Sequence, residues 1–242
     1  MNGATIRPRS DPVSSQNAMF LQAARLVADL QQRASFDTGA LLLKLSEGAV
    51  ASVPGAQYAG ITINTRHQTS ETAAATHRYP VMLDEIQSRW QQGPCLSAAT
   101  QQDSVRIDDL RADHRWPLYR DEALQQTPIR SILSFGMFGH GKTTAALNFY
   151  AEPTNAFDDT SANVGVIFAT HTALAWNMLQ REQQFRAALV SRDIIGQAKG
   201  MLMERLDVDA AAAFGLLKRV SQESNTPVVQ LAQQVISGDH PL

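Results

Sequence analysis

The chain has 242 residues, a net charge of −2, 44% hydrophobic and 18% charged residues, and a single cysteine, Cys95. This composition belongs to a globular protein of one or two domains with ample core; it excludes an intrachain disulfide or multi-cysteine zinc site and a globally basic nucleic-acid binder. No apolar run reaches the roughly 18–20 residues of a membrane span, and the opening MNGATIRPRSDPVSSQ lacks the apolar centre of a secretion signal, so the expectation is a cytoplasmic protein with no membrane contact.

Residues 1–17 are polar, contain Pro and Ser, and are expected to be disordered. Within 18–32, Phe20, Leu21, Ala24, Leu26, Val27 and Leu30 have helical spacing, and a second helix is predicted over 38–53, ended by Pro54-Gly55. A β-rich run comes next over 58–64 and a second strand over 71–77. Residues 80–92 read as a helix opened by a proline and closed by Gly93-Pro94. After an irregular stretch, 129–138 and 144–150 are two apolar strands around a Gly-rich turn. A helix from about Asn163 then runs without a breaker into the C-terminal part. The order predicts an α+β fold, an antiparallel sheet flanked by helices.

The C-terminal 191–236 reads as three helices. Ile194, Ile195, Ala198, Met201, Leu202 and Leu206 form the first apolar stripe. Asp207 and Asp209 are suited to cap a second helix through Ala210, Ala213, Phe214, Leu217 and Val220. Thr226 is expected as N-cap and Pro227 as first residue of a third, with Val228, Leu231, Ala232, Val235 and Ile236 inward. Phe214, between Ala213 and Leu217, is expected in the core.

The run Ile195-Gly196-Gln197-Ala198-Lys199-Gly200-Met201-Leu202-Met203, with Ala213-Phe214, Leu217-Lys218, Ser221-Gln222, Asn225 and Leu231-Ala232 in order, resembles the ANTAR domain. That family is an RNA-binding module of bacterial transcription antiterminators. The resemblance implies RNA with two small hairpins, one read by each module of a dimer. The candidate RNA-binding residues are Lys199, Lys218 and Arg219 for phosphate or base edges, with Ser221, Gln222 and Asn225 as polar readers. A solvated helix face is the alternative for all six. Lys218 stands where the family usually has Arg, keeping the charge without the planar fork; Pro227 and Val228 replace a basic-Leu pair. From Arg181 onward the charges balance, so the RNA expectation requires the basic groups to cluster on one face.

Upstream, Ala59-Gly60-Ile61-Thr62, Gln92-Gly93-Pro94-Cys95, Ile107-Asp108-Asp109-Leu110, Asp113-His114-Arg115-Trp116-Pro117 and Ala146-Leu147-Asn148-Phe149-Tyr150-Ala151 with Phe157 resemble the GAF domain. That resemblance implies a sensory domain which binds a small molecule, of unknown identity here, or dimerises. The expected organisation is a tail over 1–17, a GAF-like domain over 18–170, a linking coiled-coil helix over 171–190 and an ANTAR-like module over 191–238.

Other motifs invite chemistry. Gly136-Met137-Phe138-Gly139-His140-Gly141-Lys142-Thr143 fits a phosphate-binding loop, but it leads into a short β-prone run ending at Pro153 instead of a helix. A hairpin turn using Gly139 and Gly141 is preferred to a nucleotide loop. Cys95 is either a redox-sensing thiol or, as preferred, a buried inert side chain. His67, His77, His114, His140, His171 and His240 lack ligand spacing, and no Gly-x-Ser-x-Gly elbow exists. Asp113-His114-Arg115-Trp116-Pro117 is read as a loop pinned by a buried Trp116. No catalytic residue, cofactor or metal is assigned.

On the long helix, Leu174, Met178, Phe185, Leu189 and Ile195 or Gly196 form an imperfect seam interrupted by Arg181 and Arg192. Pairing with a second copy is preferred to packing back on the sheet. The expected function is an RNA-binding antitermination regulator that holds a double hairpin of the nascent transcript and blocks a terminator. The alternative is a DNA-binding or protein-binding signalling regulator with the same sensor.

Overall fold

A computed structural model of the chain describes Arg25 and residues 38–64, 70–101, 103–137 and 144–238. The expected N-terminal tail, the helix over 18–32 apart from the helical Arg25, and the Gly-rich turn over 138–143 lie outside the described residues. The chain divides into two compact units, one ending at Met178 and the other beginning at Leu179.

The first unit is built on an antiparallel sheet of β1 (Tyr58–Asn64), β2 (Ser70–Ala75), β3 (Ser104–Ile107), β4 (Ser131–Met137) and β5 (Thr144–Ala151). Their order is β2-β1-β5-β4-β3. In register, β5 sets Leu147 opposite Ile61 of β1 and opposite Phe135 of β4. Because side chains alternate along a strand, the sheet has two chemically different faces. One carries Ala59, Ile61, Leu133, Phe135, Leu147 and Phe149, with Phe135 and Phe149 edge to face at 6.1 Å. The other carries Gly60, Thr62, Asn148 and Tyr150, and meets α2 (Arg78–Trp90), α3 (Pro94–Gln101) and α4 (Pro117–Gln126) through Leu83, Ile86, Ala98, Tyr119 and Ala123. Gly60 is needed there: a Cβ would lie 2.8 Å from that of Pro80.

Helix α1 (Thr38–Ser52) packs on β1 and β2 and buries Leu41, Leu42, Leu45 and Ala49. Helix α2 starts two residues before the expected proline, because the His77 ring accepts from the Tyr79 N–H and caps it. Pro80 then falls within the first turn, where its missing N–H is an orphan anyway. Helix α5 (Asp159–Leu206) is opened by the Asp158 carboxylate, which accepts from the Ser161 N–H at 2.8 Å, while the Ser161 hydroxyl donates to the Pro54 carbonyl at 2.9 Å.

The stretch expected to be irregular instead holds α3, β3, a 3-10 turn over Leu110–Ala112, and α4. These pieces are short, and α4 buries only Tyr119 and Ala123, too few to leave a periodic stripe. Trp116 is half-buried rather than buried, with the Arg115 guanidinium 4.4 Å over its ring.

In the second unit, the last turns of α5, α6 (Ala210–Ser224) and α7 (Val228–Ser237) enclose Ala198, Leu202, Ala213, Leu217, Ala232 and Val235. Asp209 caps α6, accepting from the Ala212 N–H at 2.7 Å. Asp207 instead takes a left-handed conformation at the end of α5, which short polar side chains tolerate. Helix α7 begins one residue later than expected, with Pro227 in the capping position, and the Thr226 hydroxyl turns back to the Ser224 carbonyl. Phe214 is not core: it is 43% exposed, since it lies about 100° round the helix from the buried line of Ala213 and Leu217.

Helix α5 approaches the sheet through Gly165, where a Cβ would stand 2.4 Å from the Phe135 ring. Gly165→Ala gains up to about 1 kcal/mol of helix propensity but forces the ring to move. The expected net effect is a destabilisation of roughly 1–2 kcal/mol, read as a lower urea midpoint at unchanged slope.

Candidate functional site

Buried on the polar face of the sheet is a connected set of side chains. The Thr62 hydroxyl lies 2.8 Å from each Asp84 carboxylate oxygen, and the Thr72 hydroxyl donates to Oδ2 at 2.6 Å. Asn148 donates to the Thr62 oxygen at 2.9 Å, and the Gln87 side-chain oxygen accepts from the Cys95 N–H at 2.9 Å. Burial pushes the Asp84 carboxyl up to about 6, against the lowering by the Thr72 and Thr62 hydroxyls. Burial also pushes the Cys95 thiol up to about 12, with Asp84 adding to the rise. Cys95 is buried, as preferred, in surroundings that disfavour the reactive thiolate. Tyr119 and Tyr150 are raised well above their ordinary range by burial, then by Asp84.

On this face the Tyr119 hydroxyl, the Asn148 side-chain oxygen and the Ser134 hydroxyl are buried with no hydrogen-bond partner among the described residues. Such groups have unused capacity for a small polar ligand. Across the sheet, a cleft of about 170 Å³ between β3, β4 and α5 includes Phe135, Met137 and Ala169 in its lining. It is below the roughly 300 Å³ of typical ligand sites. Among the described residues there is no group of three or more His, Cys, Asp or Glu able to hold a metal, and no helix long and apolar enough to cross a membrane.

In the second unit, Lys218, Ser221, Gln222 and Asn225 share one stripe of α6 at i, i+3, i+4 and i+7. Lys218, Gln222 and Asn225 are exposed; Arg219 is exposed beside them and Ser221 is half-buried. Two of these polar groups have local duties. The Ser221 hydroxyl donates to the Thr226 carbonyl at 2.6 Å, and Asn225 ends α6 in a left-handed conformation, its N–H on the Ser221 carbonyl. Lys199 is half-buried on α5 and lines an open groove with Ala188, Arg192, Ile195, Gly196 and Phe214. Phe214 joins the two sets: it shares the groove with Lys199 and sits one turn before Lys218.

Residues 37–177 match the GAF domain and residues 183–236 match the ANTAR domain. The chain belongs to the GAF–ANTAR family. A search of curated proteins gives no match. Among solved structures, it is similar to a free methionine-R-sulfoxide reductase from Neisseria meningitidis in complex with its substrate, at 16% identity and a TM-score of 0.51, covering 74% of this chain and 98% of that one. The GAF domain from Acinetobacter phosphoenolpyruvate-protein phosphotransferase matches at 9% identity and a TM-score of 0.53, over 73% of this chain and 99% of that one. The Stigmatella aurantiaca phytochrome photosensory core module matches at 11% and 0.56, over 93% of this chain and 47% of that one. At these identities the likeness carries the fold alone, and the reductase's reaction does not transfer.

The GAF domain's polar cluster is only partly visible in the sequence: Thr62, Cys95 and Asn148 stand in the resembling motifs, whereas Asp84, Thr72 and Tyr119 stand outside them. Asp84 does leave a signal, a charged residue on the helix face that buries Pro80, Leu83 and Ile86. A carboxylate at such a position needs partners.

With a folded-state value near 6 against about 3.9 when unfolded, Asp84 favours folding fully below pH 4. That contribution is lost as pH rises through 6. At about 1.4 kcal/mol per pKa unit, ionised Asp84 opposes folding by roughly 3 kcal/mol at neutral pH. Asp84→Asn is therefore expected to raise the melting temperature at pH 7 more than at pH 4. Melts of both proteins across this range check it; a variant less stable at pH 7 shows that the hydroxyl donors favour the charged form.

Proposed function

We propose that this GAF–ANTAR protein is an RNA-binding transcription antitermination regulator, and that a dimer grips a double hairpin of the nascent transcript with one ANTAR domain on each hairpin. The observation that carries this reading is the ANTAR match over 183–236, with Lys199, Lys218 and Arg219 on α5 and α6. Lys218 and Arg219 are exposed for phosphate or base edges, and Lys199 reaches RNA from its groove. Gln222 is the polar reader with a free approach, while Ser221 and Asn225 set the α6–α7 turn from which they also contact RNA. Hairpin loops suit such a face because their bases are unstacked and accessible, unlike those in the deep A-form major groove. Holding both hairpins stops the second stem from melting into a competing terminator, so polymerase reads through. No bond is made or broken, and no residue is assigned catalysis.

Dimerisation is proposed along the α5 seam of Leu174, Met178, Phe185, Leu189 and Ile195 or Gly196, of which Leu174, Met178, Phe185 and Leu189 are exposed large hydrophobic side chains. Linking two weak sites raises apparent affinity through effective concentration. Control is proposed to enter through the GAF domain, whose polar cluster around Thr62, Asp84 and Asn148 takes a small hydrogen-bonding ligand. Helix α5 runs from Asp159 to Leu206 and so contributes to both domains. The alternatives, duplex DNA or a protein partner, have no specific observation in their favour.

Two measurements test this. Lys199→Ala with Lys218→Ala is expected to weaken binding to a cognate double-hairpin RNA at least about tenfold, and to lower the salt slope of log K by about 2. Unchanged affinity and slope reject the assignment. Sedimentation of the intact chain is expected to show a dimer, and a concentration-independent monomer rejects the paired seam.

A further inference from the structure

We infer that Phe214 is the stacking platform for an unpaired base of the bound RNA, in a groove where Arg192 and Lys199 take the flanking phosphates. This rests on the RNA-binding reading above and adds Phe214 and Arg192 to it. An aromatic ring in a small helical module is ordinarily a core residue, yet Phe214 is 43% exposed beside Ala213 and Leu217, which are fully buried. It lines an open groove of about 530 Å³, within the roughly 300–1,000 Å³ of sites that hold small organic groups.

The chemistry of that groove is specific. Its apolar floor is Ala188, Ile195 and Gly196, and a Cβ at Gly196 would meet nothing within 4 Å, so a flat group can lie there without obstruction. Its lining also holds two cations, Arg192 and Lys199, neither of which has an ion-pair partner among the described residues. An aromatic face flanked by paired cations matches an unpaired nucleotide, which offers a π-face and a phosphate on each side. Phe214 also stands one turn before Lys218 on α6, so groove and stripe form one continuous surface.

A second copy of the chain is the competing occupant. Phe185, Arg192 and Lys199 recur at intervals of seven, the positions that face their own equivalents in a parallel coiled coil. Phe185 and Leu189 suit that contact. Arg192 and Lys199 do not, because each would confront a like charge. The pairing surface therefore gives way at Arg192 to an anion-binding one.

The test uses the full chain and RNA with two stem-loops selected on it from a loop-randomised pool, with 2-aminopurine placed at each loop position in turn. Wild type is expected to quench one loop position by stacking. Phe214→Leu keeps an apolar side chain, and is expected to abolish that quench and weaken binding roughly 5- to 150-fold at unchanged melting temperature. Phe214→Trp is expected to restore both. Arg192→Ala is expected to lower the salt slope by about 1. If wild type selects no RNA from the pool, the RNA-binding reading falls and this inference with it. If wild type binds and Phe214→Leu binds equally with the same quench, the stacking role alone is overturned. If Phe214→Leu turns a sedimenting dimer into a monomer, the groove belongs to the second copy and the inference is overturned.

Discussion

The pairing of β5 with both β1 and β4 is the constraint on which the GAF domain depends. It joins residues 58–64 to 144–151 across some eighty residues of chain and seats Leu147 between Ile61 and Phe135. Once that register is set, strand alternation leaves no freedom about which side chain faces where. Ile61, Leu147, Phe149 and Phe135 must share one face, and Thr62, Asn148 and Tyr150 the other. A slip of one residue would place the Phe149 ring among α2 and α3 and drive Asn148 under α5.

The polar face pays for its chemistry in stability. Asp84 is buried among hydroxyl and amide donors that only partly offset its desolvation, and its raised carboxyl value records the balance. Asp84 stands on α2 among otherwise apolar inward positions, and the Thr62 and Thr72 hydroxyls supply the hydrogen bonds that a buried carboxyl needs. The same low-dielectric surroundings disfavour the Cys95 thiolate. Of the chemistry-bearing groups on this face, the Tyr119 and Ser134 hydroxyls and the Asn148 side-chain oxygen are the ones with no hydrogen-bond partner among the described residues.

The ANTAR domain solves a different problem, three helices with a small core. Ala198, Leu202, Ala213, Leu217, Ala232 and Val235 are its buried centre, and Phe214 projects from α6 to one side of the Ala213–Leu217 line that faces it. The turn between α6 and α7 is closed by Ser221 and Asn225 through backbone contacts, which holds the stripe of Lys218 and Gln222 at a fixed angle to α7.

Local chemistry made much of this legible in the sequence. Pro54-Gly55, Gly93-Pro94, Asp209 and Asn225 mark boundaries by capping and by backbone conformation, which depend on neighbours a few residues away. The apolar stripes announced the last turns of α5, together with α6 and α7, and the motif residues announced both families. Local patterns failed where elements are short or their burial is set from outside, as in α3, β3 and α4, in the one-residue shift at Pro227, and in the half-buried Trp116. Only the tertiary structure decided that Asp84, Thr62, Thr72 and Asn148 form one hydrogen-bonded network, and that Phe214 lines a groove with Lys199 rather than the core. Those facts depend on contacts between residues distant in the chain, and periodicity marks an apolar face without saying which element will cover it or which polar groups will meet there.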